Sequence, residues 1–512
     1  MRKISTIVLL LFIIFTFTFS YEVQELTTKL LNAETDKEAN VIIRKILKED
    51  PTYKDLTNTI SNVKFPQAFK WGINIYDNKC IDGVTRPYAV YIPKKYNPSK
   101  KTPLLIYLHG GVGRADLEKD IEGFIQNSYL IKYSEEKGYI LLFPLAHNKA
   151  MWWDKVGSAN VLKQIRVIKS KYNIDENRVY MTGFSDGASG AFFFGMCHPD
   201  DFAGFIPWNG HPGVASIDGD TQTYFVNLFN TSFSVINTDL DSLYPDKKMR
   251  PMMELAQEAG ADLLYRVYAG IGHEYAYADK ELPRMFRFMD THLRNMTPRK
   301  IIWETAYPEL GKCKWLSINK IKGKKHKDWY KDYNMDLVDD RVMFGFFPDT
   351  KFKGPGVRVD GVVEEDTLFG ALKVKKGDIV IKLGKLEVKE LDDLNKYKEG
   401  KKRGDPAEIT ILRDGKEIEL KGNFPPEKIY PLFKRELPSG RIEAEYSGNT
   451  FFIKTSKVSE FSIYINPDMV QLDQNVVINL NGKKVFDKKI EPDLKFMLNH
   501  FAETKDRQLI YV

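Results

Sequence analysis

Three cysteines in 512 residues, Cys80, Cys197 and Cys313, allow at most one pair, and none has metal-ligand spacing. A disulfide framework is thereby excluded, the core must hold by burial, and neither a metal nor another cofactor is expected. The formal charge of +7 is scattered along the chain. Its densest basic run, KIKGKKHK at 320–327, has no nucleic-acid motif around it and reads as a solvated loop. No nucleic-acid partner is expected. Long apolar runs are also lacking, except at the start. There MRKISTIVLLLFIIFTFTFSYEVQ carries two positive charges, an apolar stretch, then Thr18 and Ser20. The apolar part, roughly 16 residues, is short of the ~20 that a bilayer span needs. Small residues at −3 and −1 make residues 1–20 a secretory leader cleaved after Ser20. The expected destination is periplasmic or extracellular, and an uncleaved leader would be the membrane contact.

The remaining composition, 43% apolar and 28% charged, is that of a globular chain. Its length suggests roughly two to four domains. Residues 21–64 have helical spacing (LTTKLLNAETDKEANVIIRKIL) and form an N-terminal helical segment. Over 65–298, short β-rich runs such as PLLIYLHGG, YILLFPLA, RVYMTGFS and SFSVINTD alternate with amphipathic stretches. That alternation predicts an α/β domain with a mostly parallel sheet and helices on both faces. Beyond Pro298 the chain becomes β-rich, with Gly, Asn and Asp turns.

One stretch of the α/β region carries chemistry. In VYMTGFSDGASG, Ser185 sits between Gly183 and Gly187, after a strand and before a small-residue helix start. Such a turn lifts a serine hydroxyl above the sheet, and its crowded flanks admit only glycine. A nucleophile there needs a base, an acid and an oxyanion hole, the acid and then the base following the serine in the chain. Of the later histidines, His292 lies in a helical pattern, His326 in the lysine run and His500 near the end, whereas His273 ends a strand on a Gly-rich loop. His273 is therefore the expected base. Asp239, Asp241 and Asp246 follow the strand SFSVINT; Asp241 is preferred for the Pro245 turn four residues on, with Asp239 in reserve. The oxyanion donors would be the N–H groups of the His109-Gly110-Gly111 loop and of Asp186. Trp152, Trp153 and Trp208 lie in loops expected on the catalytic side, as substrate contacts or as packing, and His211 could line the pocket.

Residues 65–295 resemble the α/β-hydrolase superfamily, closest to secreted esterases of the polyhydroxybutyrate-depolymerase and feruloyl-esterase type. The resemblance rests on YAVYIPKKYNPSKKTPLLIYLHGG, DENRVYMTGFSDGASG, the aspartate before SLYP, and GIGHE. It implies ester hydrolysis through an acyl-enzyme. A departure is Asp186 with Ala188-Ser189, where relatives often have Met or Gln and a second glycine.

Residues 354–424, from GPGVRV through GALKVKKGDIVIKL to ITILRDGKEIEL, resemble a bacterial PDZ domain. Gly354, Gly356 and Val357 would then form a loop and strand edge that accept a peptide or protein C-terminus. Pro355 removes one N–H from that loop. The expected layout is a β-rich domain made of 299–345 and 426–512, interrupted by a PDZ-like domain at 346–425. Three functions compete: an exported serine esterase, a peptidase of the prolyl-oligopeptidase type, and a non-catalytic scaffold acting through the PDZ-like domain.

Overall fold

A computed structural model of the chain describes residues 21–113 and 117–512. The leader expected at 1–20 lies outside the described residues. Among them, no helix is long and apolar enough to cross a membrane. The chain divides into two compact units, one running to Asn334 and resuming over Phe433–Val512, the other formed by Met335–Leu432.

The larger unit is organised around an eight-stranded sheet of order β1-β2-β4-β3-β5-β6-β7-β8. Its strands are β1 (Gly72–Lys79), β2 (Thr85–Ile92), β3 (Thr102–Leu108), β4 (Ile140–Phe143), β5 (Ile174–Phe184), β6 (Gly204–Trp208), β7 (Ser232–Thr238) and β8 (Leu263–Tyr268). β2 is antiparallel to β1 and β4, and from β4 to β8 every neighbouring pair is parallel. This is the α/β-hydrolase strand order, in agreement with the fold expected from the sequence. Helices cover both faces, so β4 is buried at every position and reads as an unbroken apolar run, ILLF. Parallel crossovers carry the loops after β3, β5, β6, β7 and β8 to one edge of the sheet, the edge where open α/β sheets place their ligands.

Helix Lys155–Lys171 shows how local sequence sets an element. Asp154 caps it by accepting the Gly157 N–H at 2.6 Å, and Val161, Ile165 and Ile168 recur at helical spacing on its buried face. Each such aliphatic side chain contributes about 1.5–3 kcal/mol by burial. Helix Asp186–Cys197 is instead buried all round from Gly187 to Cys197, and that stretch, GASGAFFFGMC, is accordingly free of charge.

The first and last described helices meet. Helices over 21–31, Asp36–Lys48 and Tyr53–Ser61 share one apolar cluster with the C-terminal helix Leu494–Thr504, through Leu30, Ile43, Ile60, Leu498 and Phe501 among others. Past that helix, the buried Asp506 carboxylate accepts from Lys169 and Arg294, each at 2.7 Å. A five-stranded sheet pairs Lys300–Thr305, before the smaller unit, with Gly440–Ser447, after it. The buried Glu304 carboxylate and Arg441 guanidinium tie these two strands at 2.6 Å.

The smaller unit holds a five-stranded run in the order Phe346–Pro348, Val357–Val362, Ile379–Leu383, Pro406–Arg413, Lys416–Asn423, with helices Leu368–Ala371 and Leu391–Lys398. Its core includes Phe344, Val359, Phe369, Val380, Leu394, Ile409 and Ile411. The strands Asp336–Asp339 and Lys428–Pro431 pair antiparallel where the chain enters and leaves.

Candidate active site

β5 ends in the turn that carries Ser185, whose φ is +56°. That left-handed value costs a non-glycine residue of order 1–3 kcal/mol. Crowding on either side accounts for the glycines: a Cβ on Gly187 would lie 1.9 Å from the Leu108 carbonyl oxygen, and one on Gly183 2.5 Å from Gly187. The helix can approach β3 this closely only without those side chains.

The loop after β8 brings His273 to the serine, with Nε2 2.8 Å from Ser185 Oγ. On the other side of the ring, Nδ1 lies 2.8 Å from Asp241 Oδ2, in the loop after β7. Residues distant in sequence thus form one hydrogen-bonded line. Asp241 is buried; its Oδ2 also accepts from Asn209 Nδ2 at 2.7 Å, and its Oδ1 accepts the N–H groups of Leu243 and Tyr244 at 2.8 and 2.9 Å. Burial raises the Asp241 pKa, but the hydrogen bonds from His273, Asn209 and the two backbone N–H groups outweigh it and hold the carboxyl below its ordinary value. The group is therefore an anion facing the imidazole.

Asn209 is a functional neighbour that sequence reasoning missed. It follows β6 with φ +51°, donates to Thr238 Oγ1 at 2.7 Å as well as to Asp241, and accepts from the Tyr277 hydroxyl. Its signal in the sequence is WNG, a turn tripeptide that admits left-handed backbone. The reserve candidates are engaged elsewhere: Asp239 accepts the Gly270 N–H at 2.7 Å, and Asp246 pairs with Arg250 at 2.9 Å. His292 stacks on Phe288, His326 on Tyr330, and His500 meets Lys312.

The loop after β3 runs past the serine: a Cβ on Gly110 would stand 3.0 Å from Ser185 Cβ. His109 orders this loop with its ring. Nε2 accepts the Ala146 N–H at 3.0 Å, which leaves the proton on Nδ1, 3.0 Å from the Gly110 carbonyl. A trans peptide is planar, so fixing the Gly110 carbonyl turns the Gly111 N–H the opposite way. The Asp186 N–H, at the first turn of its helix, has no intrahelical acceptor.

Ser185, His273, Gly110 and Gly111 line one cavity of about 530 Å³. Tyr107, Phe124, Tyr129, Phe184, Trp208 and Tyr275 make its walls largely aromatic, and the Tyr107 and Tyr275 hydroxyls are 2.7 Å apart. Of the tryptophans expected near substrate, the structure brings Trp208 alone to this cavity. Trp152 and Trp153 are about 1% exposed and point inward, Trp152 donating to the His109 carbonyl at 3.1 Å and packing on Gly190. His211 is turned into the fold too, its Nδ1 accepting the Gly213 N–H at 3.0 Å and its ring resting on Tyr244.

In the smaller unit, Gly354, Gly356 and Val357 do not form an open edge. Val357–Val362 is paired on one side with Phe346–Pro348 and on the other with Ile379–Leu383. Gly356 serves that pairing, since a Cβ there would lie 2.6 Å from the Val380 carbonyl. On that side the sheet ends at Phe346–Pro348, an edge strand with Phe347 63% exposed; Lys416–Asn423 ends the other side. Its sequence signal was the apolar run MFGFF, residues 343–347, which leads into the strand.

Comparison with known proteins bears on both units. The PDZ domain family matches residues 331–422. The chain is 29% identical over 166 residues to a bifunctional acetylxylan esterase/xylanase of Neocallimastix patriciarum, covering 32% of this chain and 24% of that protein. It is 26% identical over 149 residues to the protein named "Probable dipeptidyl-aminopeptidase B" of Neosartorya fischeri, covering 27% and 16% respectively. The chain thus spans a quarter or less of the length of these curated relatives. Among solved structures, a thermostable esterase is similar, with 23% identity, a TM-score of 0.36, and coverage of 43% of this chain and 63% of that one.

Proposed function

We propose that this chain is a serine hydrolase that cleaves carboxylic esters through an acyl-enzyme. The observation that carries the reading is the hydrogen-bonded line from Ser185 through His273 to the buried Asp241, opening into an apolar cavity. In this reading His273 Nε2 takes the Ser185 proton as Oγ attacks the carbonyl carbon, then delivers it to the departing alcohol. Water enters by the same route, and its attack releases the acid and restores the serine. Asp241 keeps the imidazole in the tautomer with its proton on Nδ1 and stabilises the imidazolium that forms. The N–H groups of Gly110, Gly111 and Asp186 would hold the tetrahedral oxyanion, each such donor contributing roughly 3 kcal/mol in the transition state. The similarity to a protein named an acetylxylan esterase/xylanase supports ester over amide substrates; that to one named a dipeptidyl-aminopeptidase keeps peptides as the second reading.

The PDZ domain would capture a peptide or protein C-terminus by adding a strand to the Phe346–Pro348 edge. Export, to a periplasmic or extracellular site, rests on the composition of residues 1–20. Labelling with a fluorophosphonate tests the chemistry directly: one phosphonyl adduct on the Ser185 peptide is expected, absent in Ser185→Ala. An unlabelled native chain contradicts the reading.

A further inference from the structure

The residue after the nucleophile is the point where this chain departs from the esterases it resembles. Asp186 opens helix Asp186–Cys197, and a carboxylate at a helix start is ordinarily accounted for by the helix dipole. Its geometry points to a second role. Asp186 Oδ2 accepts the backbone N–H of Val112 at 2.8 Å, joining the helix to the loop after β3. That loop is the one that passes Ser185, and three of its four residues over 110–113 are glycine. Gly111 and Gly113 have φ values of +65° and +84°. Such a backbone has more freedom to lose than any other, so its working shape has to be imposed by bonds from outside.

Bonds of that kind are present on both sides of the Gly110–Gly111 peptide. Upstream, Trp152 Nε1 holds the His109 carbonyl, and the His109 ring bridges Ala146 and Gly110. Downstream, Asp186 holds Val112. The peptide between them carries the Gly111 N–H, one of the donors that would meet the oxyanion.

We propose that the Asp186 side chain is a positioning group that clamps the oxyanion loop to the nucleophile helix through Val112. This rests on the esterase reading above. A carboxylate this near a developing oxyanion is electrostatically adverse, and its hydrogen bond to Val112 offsets part of that cost. The negative charge is felt locally: burial, then the charge on Asp186, raises the pKa of the Asp218 carboxyl. What the loop needs from Asp186 is an oxygen acceptor at the right distance, and the charge is not required for it.

The test compares Asp186→Ala with Asp186→Asn in the full chain, using a nitrophenyl ester of an acyl group that the native protein turns over. Asp186→Ala is expected to lower kcat about tenfold to thirtyfold with KM changed less than threefold, because the loop acts on the transition state more than on ground-state binding. Asp186→Asn, which keeps the acceptor, is expected to recover most of that loss. Hydrogen exchange at the Val112 amide reads the clamp without any activity: protected in the native chain and in Asp186→Asn, faster in Asp186→Ala. Equal exchange in all three overturns the proposal, as does an Asn variant as impaired as the Ala one. If the native chain has no serine-dependent turnover, the esterase reading fails separately, while the exchange experiment still decides whether the clamp exists.

Discussion

Asn209 Nδ2 and His273 Nδ1 reach the same oxygen of Asp241, at 2.7 and 2.8 Å. Two donors converge on one carboxylate oxygen, and the backbone N–H groups of Leu243 and Tyr244 hold its other oxygen. Asn209→Ala is expected to leave Asp241 Oδ2 with His273 as its one remaining donor among these, and the carboxylate less firmly oriented toward the imidazole. A hydrogen bond to a charged group is worth about 1.5–3 kcal/mol, so kcat should fall at least tenfold with little change in KM. Steady-state kinetics on an activated ester check this. An Asn209→Ala enzyme with native kcat would show that the backbone donors suffice.

The cavity and the interior tryptophans should respond differently to truncation. Tyr129 is 57% exposed and stands at the cavity wall, whereas Trp152 is buried beneath the loop after β3. Tyr129→Ala is expected to raise KM threefold to tenfold for long or aromatic acyl groups and to leave acetyl esters and the melting temperature nearly unchanged. Trp152→Ala should cost about 3–5 kcal/mol of stability, as for other large-to-small changes in a core. A KM profile and a thermal melt on each variant separate the two effects.

Acid should destabilise the junction of the chain ends through His500. Burial, with the neighbouring Lys312 ammonium, lowers its pKa to about 3 against an opposing pull from Asp506. The folded protein therefore keeps this imidazole neutral where the unfolded chain would protonate it. Stability from this group is complete above the unfolded value, about 6.5, and is lost as pH falls from there toward the folded value, by up to about 1.4 kcal/mol per pH unit. Melting temperatures from pH 7 to pH 4 should fall less steeply in His500→Gln. Parallel slopes would remove His500 from the account.

Peptide capture by the PDZ domain should protect its edge strand. In the full chain, hydrogen exchange with a library of peptides bearing free C-termini is expected to slow over residues 343–348. Protection confined to residues 354–357 would instead restore the loop expected from the sequence.

That difference shows what the sequence could and could not reveal. Ser185, His273 and Asp241 were legible because each sits at a strand end whose loop has a recognisable local pattern, and a parallel sheet brings such ends to one edge. The large sheet itself was legible for the same reason, in runs such as ILLF and VYMTGF. Where a side chain points was not legible. Trp152 and Trp153 follow β4 and Trp208 ends β6, yet only packing against Gly190 and the His109 carbonyl turned Trp152 inward. Asn209 was missed because its partners, Asp241 and Tyr277, are brought to it by the fold from far along the chain. In the smaller unit, GPGVRV reads locally as a loop and strand, and nothing in it announces that the strand is paired on both sides. Sheet order is a property of the whole domain.

Whether Ser185 acts on esters is decided by turnover of a nitrophenyl ester series alongside peptide anilides. Ester hydrolysis is expected to disappear in Ser185→Ala, with an acyl-length preference set by the aromatic cavity. Hydrolysis of the anilides alone, or ester turnover that survives the loss of the serine hydroxyl, would contradict it.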